Sequence, residues 1–588
     1  MIRIGRQFLA TAVSSGNPRF EAHERPPLLS SLGLGAQFSL IASATLLVTP
    51  VVVSEAAGMD EAYLIWMVFA SLVVVGVSTL IQVRRFGPIG GGAVLPMFTA
   101  AFSIPFCIAA VAEGGPGTLA ALVLISAVTQ LAISRWLFIL RRVVTPIVGG
   151  TVMMILSITL ASVVFDLLDK ASIVEPKSAT LTAFVTLVVI AALSLRRPGV
   201  LRLWGPLVGI VIGCVVAAAV GIYDFDRVVE AKWVGLPSEL PRIWFNFGIS
   251  FWTLVPSFVF LGIIIAIQAN GASIAMQHAA HRGDRAVDFR EVQATLTGGG
   301  VTNLIASVFG AVPNIINPGI VSFTQTTGVA ARSVGYCIGL IFIAMAFVPK
   351  VSGLLSTIPG PVMTGYLVMV TGSLFVDGAR IVIQNERDGQ KVAVAGVCFW
   401  IGAAFQFGLF NLPDLGAVVN ALMKSGITTG GFGAIAMILY LEFTNPRRMR
   451  FESKLDIDAL PELNEFMGRF AERRGWDDAM KNRLSAVGEE TLLTLAPLDL
   501  TGNGESGEER QLVVVASSEG EVAELEFIGG GGDETNIEDR VRQLQQHDAE
   551  AVVENELSLQ LLRAYASSVQ HQQFNGADII TVRVERPG

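Results

Sequence analysis

The chain has 588 residues, 52% hydrophobic and 15% charged, with a formal net charge of −8. A water-soluble domain carries about 25% charged residues, so an ordinary soluble enzyme is excluded; no catalytic constellation is found either. The negative charge belongs mostly to the tail after Phe451 and says little about the apolar part before it.

The first thirty residues are polar and carry Arg3, Arg6, Arg19 and Arg25, which reads as a cytoplasmic lead-in (1–35) rather than a cleaved signal. Apolar segments follow near 36–53, 61–81, 93–108, 117–140, 143–165, 179–195 and 204–222. A second set lies near 251–270, 292–312, 314–331, 334–349, 357–377, 391–409 and 419–441. Most are long enough to cross about 30 Å of hydrocarbon. The expected fold class is an all-α polytopic membrane protein over 36–445, with fourteen spans arranged as seven plus seven. An odd number per half makes the second set enter from the opposite side, an inverted repeat. The alternate loops that this count assigns to the cytoplasm hold Arg84 and Arg85, Arg141 and Arg142, Arg196 and Arg197, Arg282, Arg332, and Arg447 and Arg448. That bias places both termini in the cytoplasm.

Two of the segments are interrupted alike. Gly92-Ala93-Val94-Leu95-Pro96 breaks the third, and Gly310-Ala311-Val312-Pro313 breaks the tenth. A second matched pair follows each: Pro146-Ile147-Val148-Gly149-Gly150 and Pro361-Val362-Met363-Thr364-Gly365. Hydrocarbon cannot satisfy the backbone groups that a broken helix releases, so such a break survives only inside protein or beside a polar cavity. Matched breaks in two halves point to a transporter binding site.

The tail, 451–588, reads as a soluble α+β domain. Leu455–Trp476 and Asp478–Leu495 have helical patterns, and Gln511–Ala516 and Val522–Ile528 read as strands joined by a turn. A Gly529–Gly532 run, helical patterns over 536–547 and 555–570, and a last strand Ile579–Val584 complete it. Cys107, Cys214, Cys337 and Cys398 have scattered spacings that suit small buried hydrophobes better than a metal cluster or disulfide frame. No cofactor is expected.

Residues 36–445 resemble the nucleobase–ascorbate transporter family, the uracil and xanthine permeases. The resemblance is carried by Gln268-Ala269-Asn270-Gly271, Phe309 to Asn314, Thr327 to Arg332, Ile358 to Gly365, and Leu95-Pro96 followed by Ala101-Phe102. It implies a core and a gate domain, third and tenth spans each built as a short strand plus a half-helix, a substrate held between them, and an elevator motion in a homodimer. On that reading Phe102 stacks on a planar ring, although a phenylalanine also simply fills a core. Gln268 and Asn270 can pair with a heterocycle edge or bridge helices. Asn314 and Asn317 lie in the tenth-span break, as caps or as substrate contacts, and Gly319 permits close backbone approach.

The chain departs from the family pattern where it matters for coupling. Acids or amides usual in the eighth and tenth spans fall on Gln268 and Gly319, and a second polar position falls on Ala272. A buried carboxylate is the natural proton carrier, so proton coupling in the family's usual form is in question. His278 and His281 read as interfacial residues or, less simply, as a relay.

The tail is faintly similar to the ATP-binding fold of histidine kinases and anti-sigma-factor kinases, through Leu460–Trp476, Ala486–Thr494 and Leu559–Ala566. Thr494 stands where that fold needs a magnesium-holding Asn, so a degenerate domain that binds a cytoplasmic protein partner or steadies a dimer is expected. Three functions stay open: a carrier of nucleobases or related planar heterocycles in the cell membrane, an anion transporter of the sulfate-permease type, and a membrane sensor signalling through its tail. No nucleic-acid partner is expected; lipid and a small-molecule substrate are.

Overall fold

The computed structural model describes residues 18–140, 146–174, 176–195, 200–223, 233–237, 244–282, 288–317, 319–385, 389–410, 425–444, 449–495, 511–519, 521–530, 561–562, 564–574 and 577–586. It divides into two compact units, Met1–Arg282 with Glu291–Tyr440, and Gly283–Arg290 with Leu441–Gly588.

The first unit is helical. Its first half runs α1 (Leu28–Ala56), α2 (Glu61–Arg84), β1 (Met97–Thr99), a 3-10 turn (Ala101–Ser103), α3 (Ile104–Gly114), α4 (Pro116–Leu140), α5 (Pro146–Val174), α6 (Pro176–Ser194), α7 (Val200–Leu203) and α8 (Gly205–Ala219). The second runs α9 (Ile249–Ala280), α10 (Phe289–Phe309), β2 (Asn314–Ile316), α11 (Gly319–Thr327), α12 (Arg332–Ala346), α13 (Pro349–Ser356), α14 (Gly360–Asn385), α15 (Gly389–Gln406) and α16 (Gly426–Thr444). With each strand and its following half-helix taken as one span, these elements follow the fourteen expected segments in order. Among the described residues, seven helices are long and apolar enough to cross a bilayer by themselves. The broken spans are not, because α3 has 11 residues and α11 has 9, against the roughly 20 a crossing needs.

Between membrane helices the hydrophobic effect supplies little association, and close packing across small residues does the work. α5 packs along α14, α2 along α12 and α4 along α9. A β-carbon on Gly150 of α5 would stand 2.6 Å from the Gly378 carbonyl of α14, and one on Gly76 of α2 would stand 2.7 Å from the Gly339 carbonyl of α12. The matched motifs at Pro146 and Pro361 are therefore helix starts, where a proline needs no partner for its missing N–H. They are not further breaks.

The second unit holds β3 (Met449–Lys454), α17 (Leu460–Arg474), α18 (Asp478–Leu495), β4 (Gln511–Glu519), β5 (Val522–Gly530), β6 (Ser568–Phe574) and β7 (Ala577–Glu585). The strands form one antiparallel sheet in the order β3-β4-β5-β7-β6. Phe466 and Phe470 of α17, Leu484 and Val487 of α18, and Val514, Leu525, Phe527 and Val582 of the sheet share its core. Two strands depart from expectation. β3 was not anticipated, and the helix expected to run to residue 570 gives way at Ser568 to β6. β6 reads Ser-Val-Gln-His-Gln-Gln-Phe, an edge strand whose polar composition hides its period. The helix expected over 536–547 lies outside the described residues.

Candidate functional site

Both breaks open on a glycine in the left-handed region, Gly92 at φ 66° and Gly310 at φ 62°. A side chain there would be strained, which explains why glycine stands at both places. The first loop is fixed from outside. The Gln82 amide of α2 accepts from Gly91 N–H at 3.1 Å and donates to the Thr295 carbonyl of α10 at 3.0 Å. Arg332 Nε donates to the Gly92 carbonyl.

The strands that follow satisfy one another. β1 and β2 pair antiparallel, Met97 with Ile316, Phe98 with Ile315 and Thr99 with Asn314. Asn317 N–H donates to the Pro96 carbonyl at 2.9 Å and Ala100 N–H to the Pro313 carbonyl at 3.0 Å, lengthening the ladder at both ends. Side chains of the preceding helices serve the outer edges. Met97 N–H donates to Thr79 Oγ1 of α2 at 3.0 Å. Asn314 N–H donates to Asn303 Oδ1 of α10 at 2.7 Å, and Asn303 Nδ2 donates to the Asn314 carbonyl and to Gln130 Oε1 of α4, both at 3.0 Å. Thr99 Oγ1 donates to the Leu46 carbonyl of α1. That carbonyl lacks its usual helical donor because Pro50, one turn on, has no N–H.

Behind the strands stand the half-helices, whose N-termini carry partial positive charge. The start of α11 is capped by Asn317, whose Oδ1 accepts from Gly319 N–H at 2.8 Å and whose carbonyl accepts from Ile320 N–H at 3.2 Å. A β-carbon on Gly319 would meet that same Oδ1 at 3.0 Å, so the cap and the glycine belong together.

The candidates named above divide accordingly. Gln268 and Asn270 are half-buried on α9, and α9 packs against β2 and α11. Asn317 and Gly319 are half-buried at the start of α11. Asn314 is a strand residue rather than a cap; its side chain is wholly buried, with neither carboxamide atom bonded. Phe102 sits in the 3-10 turn at 4% exposure, a turn that packs against α1, α3 and α5. His278 is exposed, and His281 Nδ1 lies 2.9 Å from the Gln277 carbonyl at the end of α9. Thr79, Gln82, Gln130 and Asn303 were missed in the sequence; their signal was a polar side chain within a membrane-spanning segment. A surface hollow of about 570 Å3, lined by apolar side chains such as Trp400 and Ile401 of α15, shares no residue with this site.

The family model for xanthine/uracil permeases, described as a permease family, matches residues 29–409. The xanthine permease XanP of Escherichia coli is 25% identical over 441 residues, 71% of this chain and 94% of the relative. The xanthine permease of Bacillus subtilis is 26% identical over 437 residues, 72% of this chain and 97% of the relative. Among solved structures, the transmembrane domain of a cyanobacterium bicarbonate transporter, BicA, superposes with a TM-score of 0.44 at 15% identity, over 72% of this chain and all of that one; so loose a likeness says nothing of substrate. The chain belongs to the xanthine/uracil permease family, the nucleobase–ascorbate transporters.

Proposed function

We propose that the chain is a secondary transporter of nucleobases or closely related planar heterocycles. The observation that carries this reading is the β1–β2 pair: two oppositely running breaks joined strand to strand, each with a half-helix behind it. A planar ring rich in amide edges suits such a place, because carboxamides offer donors and acceptors together. Gln268 and Asn270 of α9 read the edge, the α11 start at Asn317 and Gly319 receives its electron-rich side, Asn314 supports that start from β2, and Phe102 flanks the ring from the first break. The permease relatives named above support the substrate class.

The finer parts of the reading are an elevator motion of a core against a gate, a homodimer in the cell membrane, both termini in the cytoplasm and a tail that engages a cytoplasmic protein. Coupling differs from carboxylate-bearing relatives. Gln268 and Gly319 offer no group that titrates, so the site binds substrate without taking up a proton there.

Uptake of radiolabelled xanthine into proteoliposomes tests the assignment. Competition by excess uracil or xanthine is the expected result. Competition by sulfate or bicarbonate instead would overturn it in favour of anion transport.

A further inference from the structure

The geometry points to Asn303 as a positioning residue for the substrate site, acting as the missing strand neighbour of β2. Asn303 does not stand among the residues expected to touch substrate. The inference rests on the reading that the broken spans form that site.

A strand of three residues in the middle of a membrane has two edges to satisfy. The inner edge of β2 faces β1, and in that register Asn314 is a non-hydrogen-bonded position opposite Thr99. Its N–H and C=O therefore point outward, away from β1. A single carboxamide meets both: Asn303 Oδ1 takes the N–H at 2.7 Å and Asn303 Nδ2 gives to the carbonyl at 3.0 Å. This is the donor–acceptor pattern of a strand residue, supplied by a side chain of α10. The second Nδ2 bond, to Gln130 Oε1 at 3.0 Å, fixes which way round the Asn303 amide faces. All three of Gln130, Asn303 and Asn314 are fully buried, so no water can take the place of a lost bond at small cost.

The first break is served in the corresponding place by Thr79, whose hydroxyl takes Met97 N–H at 3.0 Å and gives to the Val75 carbonyl at 2.8 Å. That hydroxyl meets only one of the two outward groups. The outer edge of β2 thus receives two atoms from a side chain of the preceding helix where that of β1 receives one. From Asn314 the chain reaches the Asn317 cap and Gly319 within one strand length. Holding Asn314 holds the start of α11, a half-helix that packs against α9.

The test uses the full-length protein and two variants. Asn303→Leu keeps the bulk and removes the donor and acceptor. Asn303→Asp keeps both toward Asn314 only while protonated, since the acid then has one O–H and one C=O. In proteoliposomes, the half-saturation concentration for xanthine in Asn303→Leu should rise about tenfold or more, with Vmax per folded molecule within about threefold. Burial raises the pKa of an introduced aspartate, so Asn303→Asp should recover towards wild-type half-saturation as the pH falls, a trend the wild type lacks. A wild-type half-saturation concentration in folded Asn303→Leu, or in folded Asn303→Asp at high pH, with only yield or melting temperature reduced, would assign Asn303 to general stability and overturn the proposal. Should Asn303→Leu fail to fold, Gln130→Leu keeps the Asn303–Asn314 pair, frees only its orientation, and should show a smaller rise in the same constant.

A substrate-free measurement keeps this separate from the transport reading. Backbone hydrogen exchange at 314–320 should quicken about tenfold in Asn303→Leu, or in Asn303→Asp at high pH, while α14 stays as in the wild type. Unchanged exchange at 314–320 would overturn the positioning role even if uptake changed. If instead the exchange responds and the wild type takes up no xanthine, the substrate assignment is what fails.

Discussion

At the residue scale, polar side chains around the two breaks are read as doing two jobs that look alike in the sequence. Some complete a backbone that the membrane would otherwise leave unpaired, as Gln82, Thr79 and Asn303 do. Others keep spare hydrogen-bonding capacity beside the second break, and Gln268 is the foremost of these. Gln268→Ala should therefore weaken xanthine binding about tenfold or more, the loss of one directional pair in a dry site, while the protein remains folded. Isothermal titration of the purified variant checks this; wild-type affinity would leave Gln268 a structural role only. Asn317→Ala removes the side-chain cap of α11 and should cost about 1 kcal/mol of stability. It should also raise the half-saturation concentration for uptake. A melting curve together with a substrate titration separates the two effects.

At the element scale, helix pairs that meet through glycine leave no room for a side chain. In Gly76→Val the new β-carbon would meet the Gly339 carbonyl and Ile343 Cγ1, at 2.7 and 2.6 Å. Backbone cannot yield as a side-chain end can, so α2 and α12 must part. Overpacking of this kind costs about 1–3 kcal/mol, and thermal unfolding of the solubilised variant should show a matching fall. A second element-scale feature is the segment Pro18–Arg25, which meets Val329 in a parallel bridge at Phe20 and is held by backbone bonds and by Arg282. Arg19 N–H donates to the Gly328 carbonyl at 2.6 Å and Ala330 N–H to the Phe20 carbonyl at 2.8 Å. Arg282, at the end of α9, donates to the Pro18 carbonyl at 3.1 Å, the Arg19 carbonyl at 2.6 Å and both Glu24 oxygens at 2.9 and 2.7 Å. The Glu21 N–H first, and Arg282 second, hold the Glu24 carboxyl below its ordinary range. A lowered folded pKa means that this contribution is present above the unfolded value and is lost as the pH falls through the folded one. Hydrogen exchange over 18–25, corrected for intrinsic rate, should rise on acidification into and below the carboxylate range. In Glu24→Gln it should be raised at all pH values, and equal protection in the two proteins would refute the role of the pair.

At the scale of the whole molecule, coupling is the property most exposed to test. With Gln268 and Gly319 in the places where relatives are expected to carry acids, uptake should fall by less than about half when a protonophore collapses the pH gradient across proteoliposomes. Abolition of uptake would show that another group carries the proton. The tail forms its own sheet and core, so removal of residues 451–588 should leave xanthine binding intact. Loss of binding on truncation would favour a tail coupled to the site.

Much of this molecule was legible in its sequence because the bilayer is a severe solvent. Apolar length marked the spans, odd parity marked the inversion, and paired Gly–Pro breaks marked where backbone leaves the helix, since each follows from local chemistry alone. The tail's α18 was legible over its full length, and β6 was not, because an edge strand needs only one apolar face and here shows mostly polar residues. The partners of the broken backbone were not legible either. That β2 lies against β1, with Asn303 and Gln130 on its far side and Thr99 bonded to a carbonyl freed by Pro50, depends on contacts between residues 11 to 219 positions apart. Sequence by itself determined the spans, their inversion and the two places where they break; only the tertiary structure decided which atoms close those breaks, because a hydrogen bond is set by distance and direction in space and leaves no period along the chain.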